Sequence, residues 1–303
     1  MDNNIENLKN LIGTNVNKYT ITRYISSGSF GHVFEAKHKN TNDLVALKIP
    51  IQTEERDGQK SLLEEAKIYK QISNKDKGIA NMKIVKSKDK QIIVMDLLGP
   101  SLDYLLDKHK KFGLQTIILL AISMIDILKH IHNCGFLHRD LKPDNFVIGY
   151  PEINNNKLYC IDFGISTKYL KKNGEQKPFS NNKRFCGTAR YASIAAHINH
   201  EQSRKDDLES IGYILVYLYK GRLPWQGIKH KDKKERYKLI GEKKLSTSEE
   251  ELCEGMPKEF VIFLKYCRNL DYTEKPHYSA LKKMFINLYN SRNYTDEKLE
   301  WQK

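Results

Sequence analysis

Hydrophobic and polar residues change their rhythm once along this chain of 303 residues. From residue 19 to residue 95 the apolar positions come in short runs. Those at 19–24, 32–37, 91–95 and the run ending in Val45-Ala46-Leu47-Lys48 read as strands. One segment in this third breaks the pattern. Over 60–72, Leu62, Ala66, Tyr69 and Ile72 recur at helical spacing and define an inward stripe. Beyond about residue 100 the spacing is helical, with helices predicted near 101–108, 114–132, 205–219, 231–239, 257–269 and 278–289. A strand-rich first third followed by a helix-rich remainder is an α+β fold. Asn154-Asn155-Asn156 reads as a loop tip, and the sequence has no internal repeat.

One charge lies on the wrong face of the first helix. Glu65 is three residues after Leu62 and four before Tyr69, so it points inward, whereas Glu64 shares its face with Ser61, Lys67 and Gln71. A buried carboxylate needs a partner, and Lys48, at the end of the preceding strand, is the natural one.

The candidate chemistry lies further on. His138-Arg139-Asp140-Leu141-Lys142-Pro143-Asp144-Asn145 is followed, seventeen positions after Asn145, by Asp162-Phe163-Gly164. Phosphoryl transfer from ATP requires positioning and charge neutralisation at these spacings. Asp140 would accept or orient the proton of the attacking hydroxyl, and Lys142 would reach the transferring phosphate. Asn145 and Asp162 supply hard oxygen ligands suited to Mg²⁺, with Mn²⁺ as the alternative. Upstream, Ile25-Ser26-Ser27-Gly28-Ser29-Phe30-Gly31-His32-Val33 reads as a glycine-rich hairpin tip. Gly28 and Gly31 would let main-chain amides approach phosphate oxygens. Ser26 stands where the full Gly-x-Gly-x-x-Gly pattern has its first glycine.

Together these segments resemble a eukaryotic-type protein kinase over nearly the whole chain, and Lys142 two residues after Asp140 resembles the serine/threonine class. Four blocks narrow the resemblance to the casein kinase I family: Leu97-Leu98-Gly99-Pro100-Ser101-Leu102, Gly187-Thr188-Ala189-Arg190-Tyr191-Ala192-Ser193, the stretch from Glu201 to Tyr213 containing Asp206-Asp207-Leu208-Glu209-Ser210-Ile211-Gly212, and Leu223-Pro224-Trp225-Gln226-Gly227.

This resemblance implies a two-lobed kinase-like fold, with an antiparallel-sheet N-lobe carrying one main helix and a mostly helical C-lobe. The expected boundaries are an N-terminal extension over 1–18, the N-lobe over 19–95, a hinge over 96–99, the C-lobe over 100–290 and a short tail over 291–303. It further implies that ATP is bound by Ile25 to Val33, Ala46, Lys48, Glu65, Met95, Asp96 and Leu98. Lys48 with Glu65 would hold the α- and β-phosphates, Met95 would guard the back of the adenine pocket, and the Leu98 main chain would meet the base. Asp207 and Gly212 would brace the catalytic loop. Arg190, Gly227 and Arg236 would form an anion pocket for a phosphorylated or acidic residue three positions before the target hydroxyl; the family has lysine at the position of Arg236. Most protein kinases carry Ala-Pro-Glu, and this family Ser-Ile-Asn, where Ser193-Ile194-Ala195 stands here, which puts the asparagine's support of the segment in question. A catalytically weak or dead kinase-fold scaffold is the alternative, weighed against intact Lys48, Glu65, Asp140, Asn145 and Asp162.

Charge sharpens the partner. The formal net charge is +14, with basic clusters at Lys168 to Arg190 and Lys229 to Arg236, so acidic or phosphorylated protein substrates are expected. Aromatic residues do not interleave with these clusters as a nucleic-acid stacking platform requires. Five cysteines without a Cys-x-x-Cys pair exclude a disulfide framework and a zinc site. The most apolar run, 116–128, is broken by Asp126 and is short for a bilayer span. The polar, acidic start carries no leader or acylation signal. A monomer in the cytoplasm, with the nucleus as the alternative, is the expectation.

Overall fold

The computed structural model describes residues 10–28, 31–53, 56–87, 90–150 and 156–302. The chain divides into two compact units. One runs to Gly99 and includes Ile161–Gly164; the other comprises Pro100–Cys160 and the chain from Ile165 onward.

The first unit is built on a six-stranded antiparallel sheet. Its strands are β1 (Asn15–Val16), β2 (Tyr19–Ser27), β3 (Gly31–His38), β4 (Leu44–Pro50), β7 (Met82–Ser87) and β8 (Lys90–Asp96), in the order β1-β2-β3-β4-β8-β7. A two-residue pair, β5 (Gln52–Thr53) and β6 (Arg56–Asp57), precedes the helix Gly58–Ile72. Period-two alternation sorts the side chains. Tyr19, Ile21, Phe34, Ala36, Leu47, Ile92 and Val94 form one core, while Ile93 packs with Leu62 and Ala66 of the helix in another, beside Met82 and Met95. Leu47 therefore faces away from the helix and Lys48 toward it. The helix begins at Asp57, whose carboxylate accepts from Lys60 N at 3.1 Å, and it buries Leu62, Glu65, Ala66, Tyr69 and Ile72. Strands β2 and β3 extend further into the hairpin than the apolar pattern predicts, because pairing continues through Ser26↔Val33 and Ser27↔His32 after a register shift between Tyr24 and Ser26.

The second unit is mainly helical. Its central helix, Leu114–Asn133, packs against Tyr278–Ser291 and Arg204–Lys220, and the last of these packs on Lys258–Asn269. At 20 residues, Leu114–Asn133 is long and apolar enough to cross a membrane, longer than the 116–128 run alone, yet Ile117, Ile118, Ala121, Met124, Ile125, Leu128 and Ile131 are all buried within the unit. Gly212 lets Lys258–Asn269 approach, since a Cβ there would meet Leu264 Cδ2 at 2.4 Å. Short strand pairs, β9 (Phe136–Leu137) with β12 (Thr167–Lys168) and β10 (Phe146–Ile148) with β11 (Leu158–Cys160), frame the catalytic motif. The helix predicted over 231–239 runs Lys233–Ser246 instead. Gly241, which ordinarily weakens a helix, is packed in this one against His197, where a Cβ would lie 2.7 Å from the histidine Cβ. All five cysteines are free thiols. Of the predicted loop tip, Asn154 and Asn155 lie outside the described residues, and Asn156 is in a turn.

Candidate active site

In the first unit, strand alternation and helical spacing bring Lys48 and Glu65 together. Lys48 Nζ lies 2.9 Å and 2.6 Å from the two Glu65 carboxylate oxygens and 3.6 Å from Asp162 Oδ1. Lys48 is 7% exposed and Glu65 2%. Burial, together with one cation shared by two carboxylates, accounts for both titration shifts. Burial opposes the Lys48 charge, but Glu65 and Asp162 outweigh it and hold the ammonium above the ordinary lysine range. Burial and the Asp162 charge leave the Glu65 carboxyl above its usual range, despite Lys48 and an N–H from Phe163. Asp162 adopts φ +65°, a conformation that few non-glycine residues take. Its neighbour Phe163 is fully buried, edge-on to Tyr69 at 4.9 Å, which pins the segment.

The two loop glycines differ. A Cβ on Gly31 would strike Ile49 O at 2.8 Å, so this glycine serves the close approach of β4, whereas a Cβ on Gly28 would meet only Gly31 O at 3.9 Å. Among the described residues, Gly28 therefore has the more open surroundings of the two. Ser27 Oγ and His32 Nδ1 lie 2.9 Å apart across the hairpin. Ile25, Ser26 and Gly28 are exposed, and Val33 is half-buried, paired with Lys48 on β4. Ser29 and Phe30 lie outside the described residues. Ala46 pairs with Met95 across β4 and β8, and Leu98 is half-buried. The Asp96 carboxylate accepts from Asn81 N at 2.8 Å and pairs with Lys75 at 2.9 Å, so its side chain is occupied within its own unit.

In the second unit, Asp140 is engaged at both oxygens: Lys142 Nζ donates to Oδ2 at 3.0 Å and Thr188 Oγ1 to Oδ1 at 2.7 Å. Asn145 is buried, and its Nδ2 donates to the Asp140 carbonyl at 2.9 Å. The loop is strained at Arg139, φ +67°. Asp207 holds it there, accepting from His138 N at 2.8 Å and Arg139 N at 2.9 Å, while the Arg139 guanidinium donates to Ile165 O. His132 Nε2 lies 2.9 Å from Asp207, and its Nδ1 lies 2.6 Å from the Tyr278 hydroxyl. The burial cost to the Asp207 charge is exceeded by His132, His138 and the main-chain donors, so its carboxyl sits below the usual range. Gly187, at φ +99°, brings the following segment against the loop; a Cβ there would lie 2.5 Å from Arg139 O.

That segment also lines a groove of about 570 Å³ whose walls include Thr188, Arg190, Gly227 and Arg236, with Asp144 as the acidic residue among them. Arg190 stacks over Tyr191 and Tyr217, 5.7 Å and 5.4 Å from the ring centres. Sequence reasoning passed over Thr188 as a site residue, although it lies inside a quoted block. It had no signal for the His132 side chain, which reaches Asp207 from a distant helix, or for Tyr278, which bonds His132 from another.

A buried lysine–carboxylate pair beside a second carboxylate in the first unit, and in the second an aspartate with a lysine and a threonine on it, are groups of the kind that phosphoryl transfer uses. The family model for the protein kinase domain matches residues 19–285. The chain belongs to the protein kinase family and is an ATP-dependent protein kinase that works with a divalent metal. Asn145 in the second unit and Asp162 in the first each carry a hard oxygen of the kind such a cation takes.

Proposed function

We propose that this kinase is of casein kinase I type and phosphorylates serine or threonine hydroxyls that follow an acidic or phosphorylated residue. The observation that carries the reading is the groove. Arg190, Gly227 and Arg236 share it with Thr188, and Thr188 sits on Asp140. An anion held by the two guanidiniums would therefore fix a peptide whose later hydroxyl is presented to Asp140. Asp140 orients that hydroxyl and takes up its proton; Lys142 balances the carboxylate and supplies positive charge for the phosphate in flight. Lys48, held by Glu65, places its ammonium for the α- and β-phosphates. Asn145 and Asp162 would hold Mg²⁺, which when bound neutralises charge on the phosphate oxygens. The Lys142–Asp140 pair supports serine and threonine as acceptors.

The test is phosphate transfer from ATP to matched peptides differing only in acceptor (Ser, Thr or Tyr) and in the residue three positions earlier (phosphoserine, Asp or Ala). Transfer to serine and threonine, highest after phosphoserine, is expected. Equal use of tyrosine, or indifference to the earlier residue, would overturn it. Asp140→Asn is expected to reduce transfer about 100-fold or more to every peptide.

A further inference from the structure

Lys244 is fully buried (0% exposed), although Lys234 and Lys238 on the same helix, Lys233–Ser246, are exposed. Helical spacing puts it on the face of buried Ile240 and Gly241, where an isolated ammonium is costly. Its surroundings account for it. Nζ donates to Ala189 O at 2.9 Å and Ala192 O at 2.5 Å, and lies 4.8 Å and 5.0 Å from the ring centres of Tyr213 and Trp225. Trp225 Nε1 donates to the carbonyl between them, Arg190 O, at 2.7 Å. Thr188 O accepts from both Tyr191 N and Ala192 N at 2.9 Å. The turn that carries Thr188 and Arg190 is thus held by its own amides and, from outside, by Lys244, Trp225 and His197, whose Nε2 lies 3.2 Å from Ala189 O. At its far end Glu209 accepts from Ile194 N at 3.2 Å.

We propose that Lys244 is a positioning residue for the protein substrate: by holding the carbonyls of Ala189 and Ala192 it keeps Arg190 on the groove while Thr188 stays on Asp140. The inference rests on the groove being the peptide site. The essential feature is the pair of donors. Burial pushes the Lys244 ammonium well below the ordinary lysine range, with Glu209 opposing that shift only in part. A neutral amine still has two N–H groups for two carbonyls, so the anchor survives loss of the charge.

Lys244→Met keeps the length and removes the donors; Lys244→Gln keeps donors without charge. For Lys244→Met the KM for the phosphoserine peptide is expected to rise about tenfold, as for loss of buried hydrogen bonds, with the KM for ATP within about twofold of wild type. Lys244→Gln should recover most of the loss. A peptide KM that stays at the wild-type value, peptide and ATP KM rising together, or a glutamine variant no better than methionine would each overturn the proposal. Should the methionine variant not fold, amide hydrogen exchange on the wild-type protein decides. Tyr191 and Ala192 should exchange as slowly as core helix amides, and exchange at the rate of an open loop refutes the anchor. The wild-type preference among peptides in the same assay separates failure of the anion-groove reading, which would abolish that preference, from failure of the role given to Lys244.

Discussion

Lys48 in the first unit and Lys244 in the second are both buried lysines, and the protein holds them in opposite ways. Lys48 sits between two carboxylates, which hold its ammonium above the ordinary lysine range; Lys244 sits against two carbonyls and two aromatic faces, and burial pushes its ammonium below that range. The difference is one of purpose. A lysine that must meet phosphate oxygens is kept cationic by an excess of negative charge, so that phosphate can take a share of it. A lysine that fixes a main-chain turn needs N–H groups in the right places, and neutral surroundings suffice.

Glutamine at each position separates the two cases, and the largest effect is expected at Lys48. Lys48→Gln removes the only cation paired with Glu65 among the described contacts, so phosphate transfer should fall about 100-fold or more, against a mild loss for Lys244→Gln. Unfolding should also reveal a buried carboxylate left without its cation, a penalty of about 3–5 kcal/mol when one partner of a buried pair is removed. Steady-state kinetics and denaturant titration of the two variants side by side measure both. Similar activity losses at the two sites would erase the distinction.

A smaller effect is expected at the groove itself. Arg190→Glu reverses a charge next to Gly227 and Arg236 without touching Asp140, Lys142 or Lys48. Transfer to the phosphoserine peptide should drop about tenfold or more, and to the alanine peptide much less, read as the ratio of kcat/KM values. A parallel fall on both peptides would mean that Arg190 supports the segment and not the anion.

Much of the first unit's site was legible because period 2 and period 3.6 determine which side chains can meet. Leu47 had to enter the core, so Lys48 had to face the helix. Leu62, Ala66 and Tyr69 set the stripe on which Glu65 falls. The loop from His138 to Asn145 was legible as a local motif whose spacing is itself the chemistry. Lys244 was not. In Glu242-Lys243-Lys244 it reads as one more solvated lysine, and only the tertiary path of residues 189–192 makes its burial worthwhile. The packing of Gly31 was hidden for a related reason: its missing Cβ is required by β4, a contact that the phosphate-loop pattern does not encode. Thr188 lay in a recognised block, but its contact with Asp140 spans 48 residues of sequence.

The smallest expected effect concerns two adjacent acids that extend the same contrast between stabilised and unstabilised charge. Asp207 and Asp206 are both buried on the Arg204–Lys220 helix, yet Asp207 is surrounded by donors while Asp206 accepts from Ser203 N at 2.6 Å and lies near Glu209. Burial first, then Glu209, push the Asp206 carboxyl up to about 7 from its ordinary 3.8. Between those two values the folded state binds more protons than the unfolded state. The Asp206 contribution to stability is therefore fully present below about pH 3.8, declines as pH rises, and is gone above about pH 7. Asp206→Asn keeps an oxygen for Ser203 N and cannot ionise. The melting temperature of the wild type relative to this variant should fall steadily from about pH 5 to about pH 7 and level off above it. A difference that stays flat over that range would mean that Asp206 is ionised throughout, stabilised like its neighbour Asp207.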